Sequence, residues 1–108
     1  MNIDKSDIIR IRTKYPDRIP IYITKSIYTD KSLPDIDRHK FLAPYDTTVS
    51  QFLYIIRRRI KLAPEQTLFV YVNSVIANTG LTLGEMYHRY KTDEGLLRLI
   101  YAAENTFG

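Results

Sequence analysis

Apolar residues recur along the chain with two periods, one typical of helices and one typical of strands. Isoleucines at helical spacing over residues 6–14, with Ser6 as a cap and Pro16 as a stop, predict a first helix. Residues 18–25 alternate with a period of two, which predicts a strand. One face of that strand would carry Ile19, Ile21 and Ile23, and the other Pro20, Tyr22 and Thr24.

The middle of the chain predicts a loop, a short strand and a second helix. Residues 27–39 are polar and contain a proline, so we expect a loop there, followed by a strand over 40–43 that Pro44 ends. Thr48 and Gln51 have the spacing of a capping box at the start of a helix. Apolar residues then recur at helical spacing and form a core stripe of Val49, Phe52, Leu53, Ile56 and Ile60.

The last third of the chain predicts two more strands and a short helix. Residues 67–72 are β-branched and aromatic, which favours a strand, and 73–80 form a turn region. Thr82 can cap a short helix as far as Tyr90, and 96–102 form the last strand. Helix, hairpin, helix, strand, short helix and strand predict an α+β fold, a ubiquitin-like β-grasp with a four-stranded mixed sheet and a crossing helix.

The first hairpin is partly apolar on both faces, so we expect its sheet to be covered on both sides. Phe41 and Ala43 lie on one face of the second strand, and Leu42 and the stem of Lys40 on the other. A sheet with one solvated face would alternate more cleanly. The N-terminal helix is the only free element, which predicts one N-terminal helix on the face opposite the crossing helix.

Composition indicates a single domain over residues 1–108, of which 44% are hydrophobic. We expect an N-terminal helix over 1–15, a β-grasp core over 16–102 and a flexible conjugation tail over 103–108. The absence of cysteine excludes a disulfide and a thiolate metal site, and no apolar run resembles a signal peptide or a membrane span. The protein is therefore expected in the cytoplasm, with membrane association acquired through a partner or a lipid.

Catalytic and metal-binding patterns are weak. The two histidines are isolated, without metal-ligand spacing, and the glycines form no phosphate loop. We therefore expect neither an enzyme nor a cofactor. The net charge of +4 is compatible with RNA, and Phe69 and Tyr71 would suit base stacking. Aromatic residues in a central strand are more often core residues, so we expect no nucleic-acid partner.

Two features favour peptide binding. Ile55 lies off the core stripe and groups with Phe52 and Arg59 as an apolar shelf with a guanidinium at its end, unless the stripe is simply broad. The strand over 40–43 is short, begins with a lysine and is followed by a proline. Edge strands of natural sheets often have these features, which discourage aggregation. An extended peptide can add a strand at such an edge, with alternate side chains filling pockets.

The chain closes with Phe107 and Gly108 after a short polar segment. A glycine carboxylate without a side chain suits adenylation by an activating enzyme. The acyl group then passes through a carrier cysteine to an amine. The ending alone is weak support for a conjugated modifier.

Ordered blocks of sequence support the same idea: residues 14–20, 40–44, 48–52, 55–60 and 69–73, together with Tyr101-Ala102 and Phe107-Gly108. With these blocks the chain resembles the autophagy-related protein 8 family, which includes GABARAP and light chain 3. The resemblance implies a ubiquitin-like modifier of autophagy. Gly108 would be joined to phosphatidylethanolamine by E1-like and E2-like enzymes and released by a deconjugating cysteine protease.

The resemblance also implies a membrane location and a set of partners. The lipidated monomer would sit on autophagosomal membranes and recruit cargo receptors and adaptors by short aromatic-x-x-aliphatic motifs with acidic flanks. Such a motif would lie as an added strand along residues 40–43. A protein-conjugated sibling modifier of the autophagy-related protein 12 type is the alternative.

The family's two motif pockets map onto this sequence residue by residue. The aromatic pocket corresponds to Asp7, Ile11, Pro20, Tyr22, Lys40, Leu42 and Leu96. The aliphatic pocket corresponds to Phe41, Ala43, Pro44, Phe52, Ile55, Ile56 and Arg59. Tyr22 stands where the family tends to have a smaller aliphatic residue and Leu96 where phenylalanine is common, which predicts an altered motif preference. One N-terminal helix is expected where family members usually have two.

Overall fold

This computed structural model describes residues 5–29 and 31–103, which contain three helices and five strands. In chain order they are α1 (Lys5–Lys14), β1 (Arg18–Lys25), β2 (Lys40–Pro44), α2 (Val49–Arg59), β3 (Phe69–Val72), β4 (Val75–Ile76), α3 (Leu83–Tyr90) and β5 (Leu97–Ala102). Within these residues no helix is long and apolar enough to cross a bilayer.

The strands form one mixed sheet in the order β2-β1-β5-β3-β4. The central pair, β1 and β5, is parallel, and the outer pairs are antiparallel. The buried stripe of α2 packs on one face of the sheet, against Ile19, Ile21 and Ile23 of β1. The predicted ubiquitin-like β-grasp is therefore confirmed, with a helix crossing a sheet around a parallel centre.

The expectation of four strands was wrong, because the turn region over 73–80 contains β4. Asn73 and Ser74 adopt positive φ angles of 50° and 66°, and Val72 pairs with Val75 across them. Two consecutive positive φ angles match the twist of a tight two-residue hairpin turn. The two residues of β4, Val75 and Ile76, are too few to show the period of a strand in the sequence.

The predicted capping box at Thr48 is present, and the predicted cap at Thr82 is also a capping box. The Thr48 hydroxyl accepts from the Gln51 backbone N–H at 3.1 Å, and the Gln51 side chain accepts from the Thr48 N–H at 2.9 Å. Thr82 and Glu85 make the same reciprocal pair at the start of α3. These bonds satisfy backbone donors that a helix N-terminus leaves open, so the two helices begin where the sequence predicts.

The helix α1 lies on the second face of the sheet, as predicted. Its Ile8 is buried outside the main core, and it shares a cavity with Pro20 and Leu42. Pro20 and Leu42 are direct partners across β1 and β2 and alternate with the core isoleucines of β1. The partly apolar second face of the hairpin is thus explained by this helix.

The loop between β1 and β2 is fastened to the sheet by a buried tyrosine. The Tyr101 hydroxyl accepts from the Ile36 N–H at 2.8 Å and donates to the Pro34 carbonyl at 2.9 Å. Burial raises the pKa of Tyr101 above its usual value of 10.0, because the phenolate would lose its hydration there. This anchor fixes the part of the loop that carries Asp37 toward α2.

Candidate peptide-binding site

The strand β2 is an edge of the sheet. Its inner side pairs with β1 from Arg18↔Pro44 to Tyr22↔Lys40, and no strand among residues 5–29 and 31–103 pairs with its outer side. The outer backbone N–H and C=O groups of this edge are oriented for pairing with another extended chain. The strand begins with the exposed Lys40 and ends at the exposed Pro44, as the sequence suggested.

A cavity of about 260 Å³ opens beside this edge, between α1 and the start of β2. Its lining is mainly apolar, with two cations and one carboxylate around it. The residues that line it are Asp7, Ile8, Ile11, Pro20, Ile21, Arg38, Lys40, Phe41, Leu42 and Leu96. Six of the seven residues assigned to the aromatic pocket are among them, and the structure thus brings together residues from four separate segments.

The seventh residue, Tyr22, lies outside this cavity. It lines a neighbouring hollow with Arg38, His39 and Lys40. Its ring stacks on His39 with centroids 5.7 Å apart, and the Arg98 guanidinium lies 5.3 Å from the ring centroid. Tyr22 follows Pro20 by two residues, so it shares the same face of β1 but lies one step further along the strand.

Three lining residues were missed by the sequence assignment: Ile8, Ile21 and Arg38. Ile8 could have been found from helical spacing, because it precedes Ile11 by three residues on α1. Arg38 lies in the loop before β2, where no periodicity predicts the direction of a side chain. Phe41 was assigned to the other pocket, yet it also borders this cavity.

The aliphatic region on the α2 side of the edge is largely filled by the protein itself. Phe52 is 1% exposed and Ile56 is 0% exposed, so both belong to the core. The Phe41 ring stands edge-on to Phe52 at 5.5 Å between centroids, with an interplanar angle of 89°. The accessible apolar surface comes from Ala43, Pro44 and Ile55, and Ile55 is 44% exposed.

Arg59 closes this region from the side of α2. Its guanidinium lies 5.6 Å from the Phe41 ring centroid and pairs with Asp37, at 3.2 Å from Nε to Oδ1. Arg38 lies 5.5 Å from the same ring centroid. The predicted shelf is therefore divided: Phe52 packs in the core, Ile55 remains exposed, and Arg59 covers the ring of Phe41.

Positive charge dominates the surroundings of the β2 edge. Arg38 and Lys40 border the cavity, and Arg59 lies on the α2 side. The carboxylate of Asp7 at the cavity pairs with Arg10 on the same helix. Since two cations line the apolar cavity and a third lies on the other side of the open strand edge, the arrangement fits an extended apolar peptide with acidic neighbours.

The predicted conjugation site, Gly108, lies outside the described residues, as does the segment over 104–108. The last residue described is Ala103, whose backbone N–H donates to the Thr29 hydroxyl at 2.9 Å. Ala103 therefore lies beside the loop that follows β1.

Known proteins share this architecture and sequence. The family model described as "Autophagy protein Atg8 ubiquitin like" matches residues 4–108. The chain belongs to the Atg8 family. Autophagy-related protein 8 of Mycosarcoma maydis is 47% identical over 104 residues, covering 96% of this chain and 86% of that protein. Autophagy-related protein 8d of Arabidopsis thaliana is 43% identical, covering 96% of this chain and 85% of that one.

A solved structure agrees at the level of the backbone. The crystal structure of Trypanosoma brucei ATG8 superposes with a TM-score of 0.86 at 38% identity, covering 96% of this chain and 88% of that one. The expectations of a ubiquitin-like fold and of membership in an autophagy family are thereby confirmed. This Atg8-family chain is a ubiquitin-like autophagy protein.

Proposed function

We propose that this protein binds aromatic-x-x-aliphatic motifs of cargo receptors and adaptors along the outer edge of β2. The open edge beside the apolar cavity is the observation that carries the proposal. Main-chain hydrogen bonds to the edge would supply affinity, and the flanking side-chain sites would supply specificity. Arg38, Lys40 and Arg59 would receive the acidic flanks, each exposed pair contributing about 0–1 kcal/mol.

The spacing of the motif matches the two faces of β2. Two residues separated by three positions on a strand point to opposite faces, because side chains alternate with a period of two. The cavity lies on the α1 face with Pro20 and Leu42, whereas Ile55 and Arg59 lie on the α2 side. An aromatic side chain would enter the cavity, and the aliphatic side chain would reach the other face about 10 Å further along the added strand.

For the aliphatic side chain to bind, Arg59 would have to leave the Phe41 ring. That ring is already covered by this guanidinium, and Arg59 is paired with Asp37. The ion pair joins exposed groups, so breaking it costs little, while the half-buried Phe41 ring would exchange the guanidinium for the incoming side chain. An acidic residue of the incoming peptide would replace Asp37 as the partner of Arg59, which couples recognition of the flank to opening of the site.

We further propose that Gly108 is conjugated to phosphatidylethanolamine, so that bound receptors are recruited to autophagosomal membranes. Family membership supports the proposal, because the family model extends through the glycine at position 108, which follows the last strand. E1-like and E2-like cysteine enzymes would load the chain, and a cysteine protease would release it. A cytoplasmic pool and a membrane-bound pool follow from this cycle.

Reconstitution tests the conjugation proposal. The chain and a variant lacking Gly108 are incubated with the E1-like and E2-like enzymes, ATP and vesicles containing phosphatidylethanolamine. A lipid adduct found by mass spectrometry only with Gly108 present supports the proposal. A carrier thioester without a lipid adduct would overturn lipid conjugation in favour of a protein acceptor, and no thioester would leave only the peptide-binding role.

A further inference from the structure

The loop after β1 presents two large apolar side chains to solvent. Ile27 is 87% exposed and Tyr28 is 67% exposed, the highest values for large apolar residues in the part of the chain that the structure describes. They are consecutive, and neither belongs to the core that the isoleucines of β1 fill. An exposed apolar pair of this size can form part of an interaction surface.

Hydrogen bonds hold residues 26–29 of this loop against the sheet. The Ser26 N–H donates to the Tyr101 carbonyl at 2.8 Å, which ties the loop to the end of β5. The Ser26 hydroxyl in turn accepts from the Tyr28 N–H at 3.1 Å, a turn that orders the backbone under the two side chains. Ile27 and Tyr28 are therefore presented by a tethered turn at one end of the sheet.

The same loop stands where the conjugation segment begins. Thr29 accepts the Ala103 N–H at 2.9 Å, so the chain leaves β5 in contact with the residue that follows Tyr28. Gly108 is the fifth residue after Ala103, and five residues extend at most about 18 Å. Gly108, and with it the point at which a lipid would be attached, therefore lies within about 18 Å of Ala103.

We propose that Ile27 and Tyr28 form a second membrane contact, entering the interfacial region of the bilayer once Gly108 carries a lipid. The inference rests on the proposed lipid conjugation of Gly108. It assigns to this loop a task separate from the β2 edge and fixes how the protein is oriented on the membrane. The attached lipid supplies the anchor, and the loop limits the tilt of the domain.

The chemistry of the pair fits a bilayer interface. Isoleucine enters the acyl boundary, while tyrosine places its ring beside it with the hydroxyl among the headgroups. The exposed Lys31 nearby can contact lipid phosphates, whereas Lys25 is paired with Asp35 at 2.9 Å. The short reach from Ala103 to Gly108 favours lipid as the occupant, because a lipid-linked Gly108 would bring this loop close to the bilayer surface.

The sequence offers clean labels for a test, because it contains no cysteine and no tryptophan. Gly108→Cys supplies a unique thiol that couples to a maleimide on phosphatidylethanolamine in vesicles, without any conjugation enzyme. Tyr28→Trp supplies a unique fluorophore in the loop. Tyr54→Trp, at a tyrosine of α2 that is 60% exposed, is the matched control. Both are measured before and after coupling, with and without brominated lipids.

The account predicts that the tryptophan at position 28 shifts its emission to the blue and is quenched by brominated lipid after coupling, whereas the one at position 54 does neither. Ile27→Ser in the coupled chain is expected to reduce quenching at position 28. Unchanged emission at position 28 in the coupled protein overturns the membrane contact. Slower thioester formation by an Ile27→Ser variant, without quenching in the coupled chain, would assign the loop to the conjugation enzymes instead. Because coupling is chemical, failure of enzymatic lipidation would be recognised separately.

Discussion

The ring of Phe41 stands at right angles to the ring of Phe52, with centroids 5.5 Å apart, and fastens the edge strand β2 to the helix α2. The next residue along β2, Leu42, faces the cavity under α1 instead. One edge strand therefore has different surroundings on its two faces. This division is the physical basis for recognising two side chains at an odd spacing on a single added strand.

The size of the cavity beside β2 is expected to depend on Leu96 and not on Tyr22. Of these two residues, Leu96 lines the cavity and Tyr22 lines a neighbouring hollow. Leu96→Phe should fill part of the cavity and weaken a tryptophan-containing motif by about tenfold, the order of magnitude of an overpacked apolar site. Peptides that differ only in tryptophan, tyrosine or phenylalanine at the aromatic position, titrated by calorimetry, measure the ranking. Tyr22→Ile is the control, and a change of ranking by that variant would contradict the assignment.

Removal of the Asp37 charge is expected to strengthen binding of peptides with acidic flanks. Asp37→Asn releases Arg59 from its ion pair, so the guanidinium becomes available to the peptide. An exposed pair contributes about 0–1 kcal/mol, so the affinity should rise by up to about fivefold and the gain should fade at high salt. Asp35→Asn is the control in the same loop, since Asp35 pairs with Lys25. An equal gain from both variants would show a general charge effect.

A side chain added at Gly84 is expected to displace the ring of Tyr45, which packs on this glycine. A Cβ at this position would lie 2.1 Å from the Tyr45 ring, whereas Gly80 has its nearest neighbour at 3.4 Å. Gly84→Ala should therefore lower the free energy of unfolding by about 1–3 kcal/mol, and Gly80→Ala by less. Urea unfolding measures both. Adding Tyr45→Ala should remove most of the Gly84→Ala penalty, and a penalty that persists would place the clash elsewhere.

The Tyr101 hydroxyl is expected to contribute to stability in a pH-dependent way. Tyr101→Phe leaves the Ile36 N–H and the Pro34 carbonyl without this partner, which should cost about 1–3 kcal/mol of unfolding free energy near neutral pH. Because the folded-state pKa of Tyr101 is raised above 10.0, its stabilising effect is fully present below pH 10 and is lost as the pH rises through the folded-state value.

Urea titrations of both proteins across the alkaline range measure this dependence. The difference in unfolding free energy between the chain and Tyr101→Phe should be constant below pH 10 and shrink above it. The other tyrosines contribute equally to both proteins and cancel in the difference. If the difference does not vary with pH, the burial of this hydroxyl does not raise the pKa of Tyr101 in the folded protein.

The sequence predicted the fold well where local patterns are strong. The capping boxes at Thr48 and Thr82 and the alternation of β1 place their elements correctly, because those signals lie within a few neighbouring residues. The strand β4 was missed since two residues are too few for a period, and only the positive φ angles at Asn73 and Ser74 reveal its turn.

The site was predicted less completely than the fold. Family likeness located six lining residues of the cavity, but it could not show that Tyr22 lies one step too far along β1. Nor could it show that Arg59 is held by Asp37, since that contact joins residues 22 positions apart through a loop without periodicity. Side-chain contacts between separate elements depend on packing, which a pattern along one segment does not contain.

The central claim is that a peptide adds a strand to the outer edge of β2, and backbone methylation tests it most directly. Two versions of one aromatic-x-x-aliphatic peptide carry N-methyl groups on alternate amides, one set facing the edge and the other facing solvent. The account predicts that the edge-facing set weakens binding by at least about tenfold, through lost hydrogen bonds of about 0.5–1.5 kcal/mol each and a steric clash, whereas the solvent-facing set binds nearly normally. Equal affinities for the two peptides would contradict strand addition at this edge.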